Sequence, residues 1–108
     1  MTDLKEVWLT STAEHQLDEI AGWYASERPE VAAAWFNGLL DKLKSLAENS
    51  LRYSIARESE ALGVPFRQAL YGVGRKNTHR ILFTVRDDRV VVHMIRHVSQ
   101  DDVNTSDF

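Results

Sequence analysis

Residues 78–97 read THRILFTVRDDRVVVHMIRH, and this stretch decides the fold. Two runs rich in β-branched and aromatic residues flank Asp87 and Asp88, a pattern typical of two strands joined by a tight turn. Counted outward from that turn, the predicted pairs are Val85 with Val90, Phe83 with Val92 and Ile81 with Met94. Directly paired residues share a face of a sheet, so these six side chains predict one apolar face that must be covered.

The other face of this strand hairpin is predicted to be mixed, basic and apolar. The same pairing places on it Arg80, Leu82, Thr84, Arg86, Val91, His93, Ile95 and His97. The arginines and histidines would then gather where this face and the strand ends meet solvent. A slip of one residue exchanges the two faces, so the assignment depends on the position of the turn.

Upstream, residues 11–49 predict two helices. Ser11 and Glu14 form a capping-box pattern, and Pro29 both ends the first helix and suits the first turn of the second. Apolar residues of the second helix recur at helical spacing, at Ala32, Trp35, Phe36, Leu39, Leu40, Leu43, Leu46 and Ala47. The short link makes the helices an antiparallel hairpin, whose apolar stripe we expect to cover the apolar face of the strands.

Two further strands are predicted, from EVWLT at 6–10 and FRQALYG at 66–72, whereas residues 50–65 show no period. We therefore expect an α+β fold with an N-terminal strand, an antiparallel two-helix hairpin and then a three-stranded antiparallel sheet with the helices on one face. Residues 1–103 are expected to form a single domain and residues 104–108 a frayed C-terminal tail. The large aromatic residues Trp8, Trp23, Trp35 and Phe36 are expected to pack in the core or the helical hairpin.

Composition restricts the possible classes of function. The 108 residues are 44% hydrophobic and 27% charged, which is typical of a soluble globular domain. The absence of cysteine excludes disulfides and thiolate zinc sites. No run approaches the ~20 apolar residues that span a bilayer, and the N-terminus lacks a signal-peptide pattern. We expect a cytoplasmic protein without a membrane contact, and no motif indicates a cofactor or a metal.

The charge is divided unevenly along the chain. Residues 1–50 hold four Lys/Arg and nine Asp/Glu, residues 51–100 hold nine and four, and the last eight residues add three aspartates. An acidic half is thus joined to a basic half that contains the strand hairpin. Charge alone does not distinguish two solvated surfaces from a surface that binds a polyanion.

The order of these elements, with the motifs RQALYG, HRILFTV and VVVHMIRHVSQDD, resembles the RelE/ParE superfamily of bacterial type II toxins. The similarity is greatest to ParE-like proteins of the plasmid-stabilisation type. It implies a growth-inhibiting toxin that a cognate antitoxin neutralises by direct binding, in a hetero-oligomer. The expected antitoxin surface is the groove of the helical hairpin together with an edge of the sheet.

The resemblance implies two alternative targets. RelE-like members cleave mRNA on the ribosome, whereas ParE-like members inhibit DNA gyrase. Arg80 matches the arginine that contacts the scissile phosphate in RelE-like nucleases, and Arg67 matches the first of two basic residues on the preceding strand. The second of those positions is Ala69, and Gln100 and Val103 stand in the region where these nucleases carry an arginine and a tyrosine.

For a nuclease, Arg80, Arg67 and Arg96 are the candidates for stabilising charge, and His97 or His93 for proton transfer. The departures from the RelE-like pattern, and two predicted helices of about 16 to 20 residues each, favour a ParE-like toxin with gyrase as its target. A ribosome-dependent mRNA endoribonuclease is the alternative. A weakly toxic or inactive protein that only binds the antitoxin is the second alternative.

Overall fold

A computed structural model describes residues 5–74 and 76–100, which form a four-stranded sheet with two long helices on one face. The strands are β1 (Glu6–Leu9), β2 (Arg67–Tyr71), β3 (His79–Arg86) and β4 (Arg89–His97). The helices are α1 (Ser11–Glu27), α2 (Pro29–Ser45) and the one-turn α3 (Ser59–Leu62), with a 3₁₀ turn at Ser50–Arg52. The predicted α+β fold is confirmed, while the predicted frayed tail lies outside the described residues. No helix in the described part of the chain is long and apolar enough to cross a membrane.

The sheet has the order β1-β4-β3-β2, so β4 is central and β1 and β2 are the edges. The N-terminal strand joins the three predicted strands by pairing in parallel with β4, with Glu6 beside Arg89 and Leu9 beside Val92. The other pairs, β2 with β3 and β3 with β4, are antiparallel as predicted.

The helical hairpin follows the prediction closely. Each long helix has 17 residues, a single residue joins them, and Pro29 is the first residue of α2. The predicted N-cap is wrong by one position, because the hydroxyl Oγ1 of Thr10 accepts the hydrogen bond from the Ala13 N–H at 3.1 Å and Ser11 is already helical.

The main core lies between the helical hairpin and the sheet. Trp35, Leu39 and Leu43 of α2 are buried in one cluster with the inward side chains of the sheet. Those side chains are Ala69, Tyr71, Ile81, Phe83, Val90, Val92 and Ile95. Trp8 and Trp23, which were expected to pack in the core or the helical hairpin, are 50% and 54% exposed and are not core residues.

The register between β3 and β4 differs from the prediction, because β4 contains one extra residue. The observed pairs are Val85–Val90, Phe83–Val92, Leu82–Met94 and Ile81–Ile95. The first two pairs are as predicted, but His93 has no partner in the ladder and forms a β-bulge. Beyond it the side chains of β4 exchange faces, so Ile95 joins the main core, while Met94 lies on the outer face beside Leu82.

The outer face of the sheet, opposite the helices, was predicted to be open, and this is wrong for its centre. The connection between α2 and β2 lies over it and buries a second, smaller core of Ala56, Phe66, Leu82 and Met94. Backbone hydrogen bonds from Ala56 to Phe66 (2.8 Å) and from Gln68 to Ser54 (3.0 Å) hold the connection against β2. The connection has no period because only single turns within it are helical.

Candidate functional site

Arg80, the first candidate for a phosphate contact, is buried in an ion pair. Its Nη1 donates to Glu58 Oε2 at 2.7 Å and its Nη2 donates to Glu58 Oε1 at 2.6 Å. The arginine and glutamate side chains are 3% and 1% exposed. This fork-to-fork geometry is the strongest arrangement open to an arginine and a carboxylate.

Gln68 on β2 completes the surroundings of this arginine. Its Oε1 accepts from Arg80 Nε at 3.0 Å and from Nη2 at 2.9 Å. Every nitrogen of the guanidinium therefore donates to a protein acceptor, and the positive charge is neutralised within the fold. The sequence around Glu58 gives no sign of this role, because the pair spans 22 residues and forms only when the connection covers β3.

Arg67 and Arg96 lie on different faces of the sheet. Arg67 pairs with Phe83, whose side chain belongs to the main core, so Arg67 lies on the helix side, where its Nη1 donates to the Tyr53 carbonyl at 2.7 Å. Arg96 pairs with Arg80 and therefore shares the outer face with it. The two predicted basic residues of neighbouring strands, Arg67 and Arg80, are thus separated by the sheet itself.

The bulge moves His97 to the helix side. His97 pairs with His79, and their ring centroids are 5.3 Å apart. His79 in turn lies edge-on to Trp35 of the main core at 5.3 Å. The predicted placement of His97 on the outer face with Arg80 is wrong, because it assumed a ladder without a bulge. Arg80 and Arg96 therefore share the outer face, whereas Arg67 and His97 lie on the helix side.

His93, the bulged residue, is held by local contacts. Its Nε2 lies 2.9 Å from Thr84 Oγ1, and its ring packs edge-on to Phe66 at 5.2 Å. Burial, and secondly the charge of Arg86, lower the pKa of His93 below its ordinary value. Its imidazole is therefore neutral at pH 7. Within residues 5–74 and 76–100, no three His, Cys, Asp or Glu side chains are grouped so that they can hold a metal ion.

A groove of about 500 Å³ lies between β1 and the C-terminal half of α2. Its apolar lining consists of Val7, Leu9, Leu17, Leu40, Leu43 and Ala47, and its two charged residues are Lys5 and Lys44. We refer to it as the lysine-flanked groove. Strand β1 is an edge of the sheet, so within the described chain the side of its backbone away from β4 pairs with no strand. The groove and the edge form one continuous surface, close to where the antitoxin surface was predicted.

The sequence matches the family model described as the ParE toxin of the type II toxin-antitoxin system, parDE, over residues 7–102. The fold is similar to a chain of the chromosomal ParDE toxin-antitoxin system from P. aeruginosa, with a TM-score of 0.67, 19% identity, and coverage of 91% of this chain and 100% of that chain. It is also similar to a chain of the toxin-antitoxin complex RelBE2 from Mycobacterium tuberculosis, with a TM-score of 0.56, 22% identity, and coverage of 90% and 94%. No protein with a curated description matches the sequence. Because the family model spans nearly the whole chain, the protein belongs to the ParE toxin family of type II toxin-antitoxin systems.

Proposed function

We propose that this ParE family toxin acts in the cytoplasm by inhibiting DNA gyrase and does not cleave RNA. The observation that carries the proposal is the buried pair of Arg80 and Glu58. A nuclease that uses this arginine needs its guanidinium at the surface, with hydrogen-bond donors directed at the charge that develops on the phosphate. Here the donors are directed at Glu58 and Gln68.

The positions of the other candidates support the same choice. Cleavage through the 2′-hydroxyl needs a base and an acid within reach of the same phosphate as the stabilising cation. His97 and Arg67 lie on the helix side of the sheet, while Arg80 and Arg96 lie on the outer side. On the helix side, Arg67 and His97 pair with Phe83 and His79, which lie four residues apart along β3. On the outer side, Arg80 is buried, and the ring of His93 contacts Thr84 and Phe66.

Binding of the antitoxin is the second part of the proposal. An extended segment that adds to the open edge of β1 would gain main-chain hydrogen bonds and place alternate side chains in the lysine-flanked groove. The lining favours apolar side chains, and Lys5 and Lys44 favour acidic residues beside them. A strand edge and an apolar groove that are covered in a complex would also be protected from aggregation.

A target assay on two variants tests the first part. The double variant Glu58→Leu/Arg80→Met replaces the buried pair by apolar side chains of similar size, and should keep the fold. We expect purified wild-type protein and the double variant to inhibit supercoiling by gyrase equally, and neither to cut ribosome-bound mRNA.

Cuts in translated mRNA that disappear in the double variant would overturn the proposal in favour of the endoribonuclease. A protein that forms its antitoxin complex but neither inhibits gyrase nor cuts mRNA would instead support an inactive antitoxin-binding protein.

A further inference from the structure

A second concave site lies at the end of β4 away from β1. It is a cavity of about 440 Å³ between the second half of α1 and the strand ends of β3 and β4. Aromatic rings from Trp23, Tyr24, His79 and His97 line it, and Glu19 supplies a carboxylate. We call it the aromatic pocket. None of the nuclease or antitoxin roles considered above uses its Trp23 or Glu19.

The aromatic pocket has a fixed inner wall and an exposed outer one. Tyr24 stacks on the buried Trp35 with ring centroids 4.7 Å apart, so the core holds its position. Trp23 meets Tyr24 edge-on at 5.1 Å, with an interplanar angle of 89°, and remains 54% exposed. A large exposed indole beside a cavity is typical of a site that contacts a partner, since it leaves apolar area in water.

The aromatic pocket is lined by one carboxylate, that of Glu19, and the helix that supplies it is acidic. Helix α1 carries Glu14, Asp18, Glu19 and Glu27, and its 17 residues include no Lys or Arg. The Glu19 side chain is 65% exposed, and its Oε1 lies 2.6 Å from Nε2 of His15, which is 76% exposed. A ligand must therefore compete with one surface histidine for this carboxylate. The acidic helix repels a nucleic acid and attracts a basic segment of protein.

His79, at the inner end of the aromatic pocket, carries no positive charge at pH 7 that would repel a bound cation. Burial, and secondly the neighbouring His97, lower the pKa of His79 to about 4. His79 is therefore neutral at pH 7, and its Nδ1 lies 2.8 Å from the Thr78 hydroxyl. A neutral imidazole face adds to the aromatic surface that Trp23 and Tyr24 provide.

The protein itself contains the combination of groups that such a site would use. On β1 and β4 the guanidinium of Arg89 lies over the ring of Trp8, 4.3 Å from its centroid. Glu6 accepts a hydrogen bond from the Trp8 indole at 2.8 Å, so arginine, indole and carboxylate meet at one surface point. The aromatic pocket also offers an indole and a carboxylate, and its lining in residues 5–74 and 76–100 includes no Lys or Arg.

We infer that the aromatic pocket binds an arginine side chain of a partner protein, with the guanidinium against the Trp23 indole and paired with the Glu19 carboxylate. Arginine fits better than lysine because its planar guanidinium stacks on an aromatic face and is more weakly hydrated. The pocket thereby recognises a basic segment, whereas the lysine-flanked groove attracts an acidic one.

Nuclear magnetic resonance titration of the full chain tests this inference. The probe is N-acetyl-arginine amide, and N-acetyl-citrulline amide serves as a neutral probe of nearly the same shape. We expect the arginine probe to shift the ring signals of Trp23 and His97 in a saturable way, and the citrulline probe to bind several-fold more weakly. Glu19→Gln and Trp23→Ala should each weaken binding about two- to fivefold.

Two further variants act as controls. His15→Ala removes the competitor for Glu19 and should leave binding unchanged or tighter, and Trp8→Ala removes an exposed indole outside the aromatic pocket and should have no effect. Equal binding of the two probes would overturn the inference in favour of an uncharged aromatic or apolar ligand. The absence of saturable binding, or a Glu19→Gln protein that binds like wild type, would also overturn it.

Discussion

Arg80 and Glu58 form a two-point ion pair in the interior, with nitrogen–oxygen distances of 2.7 and 2.6 Å. The pair joins the connection between α2 and β2 to the outer face of β3 and sits beside the second core of Leu82 and Met94. The arginine that resembles a phosphate ligand in sequence is thus a structural residue here. This role predicts that stability and toxicity respond differently to its replacement.

Removing one member of the pair should destabilise the protein strongly. Glu58→Ala leaves a buried guanidinium with only Gln68 as an acceptor, so we expect the free energy of unfolding to fall by about 3 to 5 kcal/mol. Arg86→Ala, which removes an exposed arginine from the same strand, should change it by less than about 0.5 kcal/mol. Urea denaturation followed by circular dichroism measures both. The apolar double variant Glu58→Leu/Arg80→Met should recover most of the loss, and an unchanged Glu58→Ala midpoint would contradict the burial of the pair.

The bulge at His93 is tested by cysteine trapping, which is straightforward because the chain has no cysteine of its own. His79→Cys/His97→Cys should form an intramolecular disulfide on mild oxidation, because directly paired residues lie close enough for a disulfide. His79→Cys/Arg96→Cys should not, since these side chains lie on opposite faces. Mass spectrometry without reductant distinguishes the two. Efficient cross-linking of only the second pair would show a ladder without the bulge.

Stability should fall as the solution becomes acidic, partly because of His79. Its pKa is about 4 in the folded protein and near 6.5 in the unfolded chain, so between these values the unfolded state binds more protons. The stabilisation from neutral His79 is therefore complete above pH 6.5 and is lost as the pH falls towards 4, by up to about 3 kcal/mol. Thermal or urea unfolding across this range should show a shallower decline for His79→Phe than for wild type. His15→Gln, at an exposed histidine, is the control, and equal slopes in all three proteins would contradict the prediction.

The two lysines of the lysine-flanked groove lead us to expect that antitoxin affinity depends on their charge. Lys44→Glu should weaken binding of the cognate antitoxin by roughly three- to tenfold, and the loss should shrink in high salt. Lys42→Glu is a matched control on the same helix, because Lys42 lies over the Tyr53 ring and outside the groove. Isothermal titration at two salt concentrations measures both. An equal loss in the two variants would mean that the antitoxin responds to overall charge and not to this groove.

The helical hairpin and the strands could be predicted from sequence because each has a local signal. The stripe from Ala32 to Ala47 has the period of a helix, Pro29 marks a boundary, and the β-branched runs beside Asp87 and Asp88 mark two strands. The N-cap was misplaced because Thr10 and Ser11 are chemically equivalent caps and only the backbone geometry chooses between them. The pairing was correct near the turn and failed beyond His93, where no glycine or other signal marks the extra residue.

The candidate site was harder to predict because its arrangement depends on contacts between distant residues. Arg80 was predicted to contact a phosphate, but in the structure it is paired with Glu58. Glu58 lies in a connection without a period, and nothing near it in sequence distinguishes it from a surface glutamate. The predicted face of His97 depended on the register. The bulge at His93 shifts that register by one residue, so His97 and Arg80 lie on opposite faces of the sheet. Trp23 was expected to be covered because it is a large aromatic residue, but it contacts Tyr24 edge-on and remains 54% exposed.

Because β4 lies inside the sheet and is made last, it also determines when, during synthesis, the toxin can complete its fold. Strand β1 emerges from the ribosome first, yet its partner residues, from Arg89 to Val92, are made about 80 residues later. Until β4 is complete, β1 and one side of β3 have no strand to pair with, and both cores lack the side chains that β4 contributes. Long-range pairing of this kind forms late and slowly compared with a local helical hairpin. We expect the nascent chain to remain inactive until the last strand is released, which gives a co-synthesised antitoxin time to be present when the toxin first folds.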